Sequence, residues 1–317
     1  LSGQLRAVSG HMAVNLCCGN YRQALAQSLH FDQLGPQADP LLDLSAQRLR
    51  VLAQHFAGHQ ALALRNAEQV IQRMAHSGHL NRFTHGFGVQ YDQGVASLTI
   101  LARILWLRGF PERAWRTANQ ALELALQINH GTSICYTLAL AGVVIARYNG
   151  DAAAAHSLQE LLLQQAQKHS VQLFHTWARH YAGAAPTQAM PGLGLIADTL
   201  VTFNAGAVDA AMFERAKSGA AGWCTAEILR VRAEHSDDIP AEALLLEALG
   251  LAHQQGALAW ELRSATALAR LWQRQDRRQA ARELLDSVYG RFSEGFATQD
   301  LIGVRRLLDE LQDKRPA

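Results

Sequence analysis

Apolar residues recur every three or four positions along most of the chain, which is the spacing of one face of an α-helix. Residues 95–109 show this spacing clearly, because Val95, Leu98, Leu101 and Leu105 form one stripe. No segment shows the sustained alternation of apolar and polar residues that a half-buried β-strand requires. The hydrophobic pattern therefore predicts an all-α protein.

Between the apolar stretches lies a recurring joint, in which a glycine is followed five residues later by an alanine. The pairs are Gly19 and Ala24, Gly58 and Ala63, Gly109 and Ala114, Gly150 and Ala155, and Gly206 and Ala211. A glycine in the left-handed conformation ends one helix, and a small alanine allows two antiparallel helices to approach closely. Each joint is therefore interpreted as the tight turn of a helix pair.

The joints are spaced by about 40 to 55 residues, a period typical of α-solenoids built from helix pairs. We expect about eight pairs over residues 1–317 as a single repeat domain. Regular pairs occupy 1–170, an irregular and shortened repeat occupies 171–206, and C-terminal pairs with a polar capping helix occupy 207–317. The predicted helices are 4–18, 20–34, 41–57, 59–75, 90–108, 111–127, 131–148, 151–168, 171–184, 192–204, 207–218, 221–235, 240–255, 257–273, 277–291 and the cap 298–312.

Composition narrows the class of protein. The chain is 49% hydrophobic and 18% charged, which excludes a disordered protein. Its formal net charge of +2 is too small to indicate a polyanionic partner. The longest stretch without a charged residue or histidine, 131–146, is shorter than a membrane span. We therefore expect neither nucleic-acid contact nor membrane insertion.

The cysteines and the first residues bear on localisation. Cys17, Cys18, Cys135 and Cys224 have no regular spacing, which argues against disulfides and a zinc site and favours reduced thiols in the cytoplasm. The first residues, LSGQLRAVSG, lack the layout of a signal peptide. We expect the chain to be a piece of a longer protein.

Residues 244–311 carry more specific motifs, namely A-x-x-Q-G-A-x-x-W-E-L-R, S-A-T-A-L-A-R-L-W and L-L-x-x-V-Y-G-x-F-x-E-G-F-x-T-x-D-L. Together with residues 91–114, they resemble the tetratricopeptide-repeat domain of bacterial winged-helix transcriptional regulators and adenylate-cyclase-like proteins of the signal-transduction ATPase (STAND) type. The resemblance implies tetratricopeptide-like pairs in a right-handed superhelix. The chain departs from the family at Gly94, where an arginine is usual, and after Phe174, where a full helix pair is usual.

The resemblance also implies a function. A domain of this kind is a sensor that binds an inducer, a protein partner or the upstream ATPase domain of its own chain, and it controls the ATPase switch. No cofactor is expected in this chain, because Lys217 and Ser218 follow MFERA without the glycines of a phosphate-binding loop. ATP and magnesium belong only to an upstream module. The alternative is a constitutive peptide-binding scaffold without a small-molecule ligand.

A row of aromatic residues suggests where a ligand binds. The members are Tyr91, Tyr136, Trp177, Trp223 and Trp260, which fall near the starts of successive first helices. First helices line the concave face of a solenoid, so the row predicts the floor of a ligand groove. The alternative is that each ring fills the gap between adjacent pairs.

Polar residues accompany this row. If the groove exists, its polar residues are Arg103, Arg179, Glu227, Arg230 and Arg263. The Gly- and Pro-containing segment GAAPTQAMPGLG predicts a notch near His175 and Trp223, which is the preferred site for an inducer.

The sequence contains little that indicates a catalytic site or a metal site. His76, His79 and His85 form an H-x2-H-x5-H pattern that suits a transition metal, but their loop contains no carboxylate or cysteine. We interpret them as solvated histidines and expect no metal site. No serine or cysteine lies in a nucleophile motif, so we expect no catalytic residues.

Overall fold

The computed structural model describes residues 2–30, 40–76, 91–183, 194–203, 208–235 and 237–312. Over those ranges the protein is all-α, with sixteen helices and no β-strand. The helices are α1 (Ser2–Cys18), α2 (Tyr21–Ser28), α3 (Pro40–Phe56), α4 (Gln60–His76), α5 (Gln93–Leu107), α6 (Pro111–Ile128), α7 (Gly131–Asn149), α8 (Ala152–Lys168), α9 (Gln172–Tyr181), α10 (Gly194–Val201), α11 (Ala210–Lys217), α12 (Thr225–Glu234), α13 (Asp238–Gln255), α14 (Leu258–Arg274), α15 (Arg278–Tyr289) and α16 (Gln299–Gln312).

Four of the predicted joints are confirmed as turns between consecutive helices. Their glycines have positive φ angles: 80° at Gly19, 95° at Gly58, 87° at Gly109 and 80° at Gly150. The alanines five positions later are at most 5% exposed. A small side chain is therefore buried near the turn of each pair. The fifth joint, at Gly206, lies outside the described residues.

Several helix ends differ from the prediction. The helix predicted at 20–34 is described only to Ser28, and α9, α10 and α11 are each shorter than predicted. A 3-10 turn, Gly222–Cys224, precedes α12 where a continuous helix was predicted. Helix α13 begins at Asp238, two residues earlier than expected, with Asp237 at its N-cap position.

Helix α7 contains a π-helical turn over Leu138–Gly142. The turn frees backbone carbonyls, and two side chains bond to them: the Tyr181 hydroxyl donates to the Ala139 carbonyl over 2.6 Å, and Arg103 Nη1 donates to the Leu140 carbonyl over 3.1 Å. Side-chain donors inserted in this way are an established cause of local departures from α-helical bonding.

Among the described residues, this helix alone is both long and apolar enough to cross a membrane, and its 18-residue window has a mean hydropathy of 1.3. The stretch 131–146 is shorter than a membrane span, but the helix extends to Asn149 and so reaches the necessary length. However, 89% of this window is buried against the rest of the protein. That is the environment of a central core helix.

Consecutive helices pack against each other, and the turns of the first half also contact the second half. Arg215 donates to the Gly19 carbonyl over 3.1 Å, and Arg108 donates to the Gly256 carbonyl over 2.8 Å. The Glu112 carboxylate accepts from the Gly295 amide over 2.9 Å. One hydrophobic cluster consequently runs from Met12 to Trp260, and a second joins the last three helices.

Candidate functional site

The predicted aromatic row lies mainly inside the protein. Trp223 and Trp260 are completely buried, and Tyr136 and Trp177 are at most 5% exposed. Trp260 Nε1 donates to the Trp223 carbonyl over 3.0 Å, and the ring centroids are 6.4 Å apart. Tyr91 is half-buried, and its ring lies 4.2 Å from that of Tyr136. In this conformation the rings fill gaps between helices rather than forming an open floor.

Arg103, the first of the predicted polar residues, is also in the core. Its side chain is stacked over the Trp223 ring, with Cζ 4.5 Å from the ring centroid. The Arg103 Nε donates to His55 Nε2 over 3.1 Å. Because Nε2 accepts, the proton of the neutral His55 ring lies on Nδ1, and Nδ1 donates to Gln60 Oε1 over 2.8 Å. Burial and the charge of Arg103 lower the pKa of His55 to about 3. The buried arginine is therefore surrounded by neutral partners.

The predicted notch is not formed by the residues proposed for it. His175 is half-buried and Arg179 is exposed on α9. The rings in contact with Trp223 are His55, Phe56 and Trp260, and Trp177 contacts Tyr181 instead. Trp223 has no exposed surface, so no ligand can contact it beside His175 without a rearrangement. Most of the GAAPTQAMPGLG segment lies outside the described residues.

An open cleft of about 1270 Å³ lies elsewhere, between the end of α7, the start of α8 and the C-terminal helices. We call it the arginine cleft. Its lining comes from five stretches of chain: 147–159, 201–203, 227–234, 263–270 and 297–306. Three of the predicted site residues, Glu227, Arg230 and Arg263, are part of this lining. The structure brings these three together, and none of the other eight predicted residues lines the cleft, although Trp260 contacts Arg263 from the core.

Glu227 is the centre of the polar wall. Its side chain is 1% exposed and accepts from Arg230 Nε over 2.9 Å and from Arg263 Nη1 over 3.0 Å. Burial alone would raise the pKa of Glu227, but the two guanidinium groups outweigh burial and hold the pKa below its ordinary value. Glu227 is therefore a permanent carboxylate that fixes two arginines in place.

Arg263 joins this wall to the C-terminal helix and to the aromatic core. Its Nε donates to Asp300 Oδ2 over 2.7 Å, and its Cζ lies 5.0 Å from the centroid of the Trp260 ring. Burial would lower the pKa of Arg263, but Asp300 and Glu227 raise it above the usual value. The guanidinium of Arg263 stays charged, and its position is fixed by Glu227, Asp300 and the Trp260 ring.

Three further arginines line the cleft: Arg147, Arg270 and Arg306. Arg147 donates to Gln159 Oε1 and to the Tyr181 carbonyl, whereas Arg270 and Arg306 are exposed. Among the ion pairs of the described residues, none includes any of these three side chains. With Arg230 and Arg263 the lining contains five arginines, against the carboxylates of Glu227, Glu234 and Asp300. The cleft is therefore positively charged.

No protein-family model matches the chain, and no curated protein is significantly similar to it.

Sequence reasoning missed Arg147, Arg270 and Arg306. Arg306 belongs to a basic pair, Arg305 and Arg306, which is typical of a solvated helix face. The signal that could have identified Arg147 is its position three residues before the joint glycine Gly150, where a side chain reaches the end of a helix pair. Arg270 carried no signal, since only the packing of α14 brings it to the cleft.

The structure does not test the predicted H-x2-H-x5-H histidine pattern. His79 and His85 lie outside the described residues, as does the side chain of His76. Within the described ranges, no group of three or more histidine, cysteine, aspartate or glutamate side chains is arranged to hold a metal ion.

Proposed function

We propose that this chain is a non-catalytic ligand-binding domain whose ligand occupies the arginine cleft. One observation carries the proposal: a cleft of about 1270 Å³ is lined by five separate stretches of chain. A ligand that contacts several of these stretches stabilises their packed arrangement over any other. Binding in the cleft therefore biases the relative position of α7, α8 and the C-terminal helices.

The finer architecture is part of the same proposal. We infer a right-handed α-solenoid of tetratricopeptide-like pairs, with α16 as its cap, that occupies the chain as one domain. The left-handed joints at Gly19, Gly58, Gly109 and Gly150 support it, as does the packing of consecutive helices in pairs. A superhelix so tight that its successive turns meet would account for the contacts between the first and second halves.

The resemblance to signal-transduction ATPase regulators gives this binding a role. The domain would bias an attached ATPase, with its ATP and magnesium, in a cytoplasmic bacterial transcriptional regulator. The coding sequence upstream of Leu1 tests this role. We expect it to encode a glycine-rich phosphate-binding loop and a winged-helix module, and an upstream frame without either would contradict the regulator.

The cleft's carboxylates favour binding over catalysis. General acid–base catalysis requires a group that exchanges protons near the working pH. Glu227 and Asp300 are each bound by an arginine at 3.0 Å or less, and Glu234 is paired with Arg230. The two arginines beside Glu227 hold its pKa below the ordinary value, and all three carboxylates are bound to arginines, so they suit a positioning role.

Hydrogen–deuterium exchange of the whole chain tests ligand binding in the cleft. Compounds or peptides that raise the unfolding temperature are added at saturating concentration. We expect slower amide exchange in α8, α12 and α16, three of the helices that line the cleft. Protection confined to α1–α4, or no protection with any ligand, would contradict the proposal.

The second candidate function is a peptide-binding scaffold. The specific observation in its favour is the volume of the cleft, which exceeds the roughly 300–1,000 Å³ of ordinary small-molecule sites. The same exchange experiment separates the two candidates. Protection by peptides with no effect of small molecules would favour the scaffold.

A further inference from the structure

The charges of the arginine cleft narrow the class of ligand, and this step rests on the function proposed above. The lining contains five arginines and three carboxylates, so this surface carries an excess of positive charge. A concave surface lined by one sign of charge attracts ligands of the opposite sign.

The arginines divide into two groups with different tasks. Arg230 and Arg263 are 16% and 17% exposed and are fixed by Glu227, so their charges are largely neutralised within the protein. Arg147, Arg270 and Arg306 form no ion pair with the described residues and keep their full charge. The first group builds the wall, and the second is available to a ligand.

The available groups also have free donors. Arg147 uses Nη2 for Gln159 and the Tyr181 carbonyl, and Cζ of the same group lies 5.2 Å from the Phe203 ring centroid. A guanidinium presents a planar set of donors that matches the two oxygens of a carboxylate or the oxygens of a phosphate. An aromatic face on one side holds that plane in a fixed orientation.

These three arginines come from different parts of the chain. Arg147 lies near the end of α7, Arg270 lies near the end of α14, and Arg306 lies in the middle of α16. An anion with one charged group can engage only part of such a set. A molecule with two or more oxyanion groups can engage arginines from both sides of the cleft together.

We propose that the arginine cleft binds a small organic polyanion, a molecule that carries at least two carboxylate or phosphate groups. Arg270 and Arg306 contact its oxyanions directly, and Arg147 contacts them from the α7 side. The network of Glu227, Arg230, Arg263 and Asp300 positions the wall against which the polyanion lies.

Isothermal titration of the whole chain with citrate and with pyrophosphate tests the proposal. The two probes distinguish polycarboxylates from phosphate compounds, and sucrose serves as a neutral probe of similar size. We expect at least one anion to bind, sucrose not to bind, and the affinity to fall as sodium chloride is raised. Screening by salt weakens interactions between exposed charges.

The variants are Arg270→Gln, Arg306→Gln and their combination. Both residues are exposed, so the circular dichroism spectrum and the unfolding midpoint should match those of the wild type. Each single variant should weaken anion binding about 10-fold or more, the size of one charge-assisted hydrogen bond. The matched control is Arg116→Gln, an exposed arginine on α6 that does not line the cleft, and it should leave the affinity unchanged.

Two results would overturn the inference. One is the absence of binding by either anion, and the other is equal affinity in the wild type and the Arg270→Gln, Arg306→Gln combination. If neutral molecules or peptides then slow amide exchange in α8, α12 and α16, the proposed function stands and only the ligand class is wrong. If no ligand slows exchange there, the binding function itself fails.

Discussion

Among single residues, the buried cation Arg103 is the least expected from its sequence context. It lies in the apolar run of α5, is 2% exposed and has no carboxylate among its described partners. Its charge is stabilised by the faces of Phe56 and Trp223, by His55 and by a carbonyl of the π turn. Contacts of a cation with aromatic faces gain strength when water is excluded. Arg103 therefore acts as a core residue.

Replacing Trp223 tests this arrangement. Trp223→Ala should lower the free energy of unfolding by about 3–5 kcal/mol, the usual cost of truncating a buried tryptophan. It also removes the aromatic face beneath Arg103. Urea unfolding followed by circular dichroism measures the change, and Trp115→Ala on α6 is the half-buried control with a smaller expected loss. Stability equal to the wild type would mean that Trp223 is not a core residue.

His55 makes stability depend on pH. The folded state holds the pKa of His55 at about 3, whereas the unfolded chain has the ordinary value of 6.5. Below pH 6.5 the unfolded state binds a proton that the folded state does not, so stability is complete above pH 6.5 and decreases as the pH falls toward 3. Between pH 7 and pH 5 this group should lower the free energy of unfolding by about 2 kcal/mol.

The slope of stability against pH is measured by urea titrations at several pH values. The control is His55→Gln, which should have a shallower slope whatever its absolute stability. Since only the slope is compared, a destabilised variant still gives an answer. Identical slopes between pH 5 and pH 7 would show that His55 is protonated in the folded protein as it is in the unfolded chain.

At the level of helices, local signals predicted most ends well. Pro111 begins α6, Gly150 ends α7 and Asp151 caps α8 by accepting from the Ala154 amide over 2.9 Å. Each of these signals acts within four residues, so it is visible in the sequence. The 3-10 turn at Gly222–Cys224 could not be predicted in this way, because distant contacts shape it.

That turn gives a prediction for Gly222. Its φ angle is +57°, and a Cβ atom there would lie 2.2 Å from the Phe56 carbonyl oxygen, a backbone atom of α3. Gly222→Ala should therefore cost about 3–5 kcal/mol, from backbone strain and from an overlap that no side-chain rotation relieves.

The matched control is Gly219→Ala. Gly219 has a φ angle of +68°, but the nearest atom to its added Cβ belongs to the end of the exposed Arg22 side chain, which can move away. This variant should cost about 1–2 kcal/mol, from backbone strain alone. Thermal unfolding of the two variants gives the difference, and equal losses would show that the approach of α3 to the turn is not tight.

For the whole molecule, the sequence predicted the pairs but not how the two halves meet. The spacing of the joints concerns neighbours in the chain, whereas the contact of Gly58 with Gln255 and that of Gly150 with Gln299 join residues about 150 to 200 positions apart. Such contacts depend on the accumulated rotation of many pairs. For the same reason the predicted groove residues Trp223 and Trp260 lie in the core, and only Glu227, Arg230 and Arg263 line the cleft.

The attachment of the first helix pair illustrates these long-range contacts. Asp198 on α10 is completely buried and accepts from both Nη atoms of Arg215, over 2.8 and 3.0 Å, and from the Tyr21 hydroxyl over 2.6 Å. Arg215 also donates to the Gly19 carbonyl. One ion pair thus joins α10 and α11 to the turn between α1 and α2.

Breaking this pair should loosen the N-terminal helices. Arg215→Gln leaves a buried carboxylate without its cation, which typically costs about 3–5 kcal/mol. Lys217→Gln, on the same helix, removes an exposed ion pair with Glu247 and should cost about 1 kcal/mol or less. Hydrogen–deuterium exchange should be faster in α1 and α2 for Arg215→Gln only.

Adding Asp198→Asn to Arg215→Gln should recover part of the stability, because it removes the unpaired buried charge. If α1 and α2 exchange as slowly in Arg215→Gln as in the wild type, their attachment depends on the apolar contacts of Met12 and Leu16 instead.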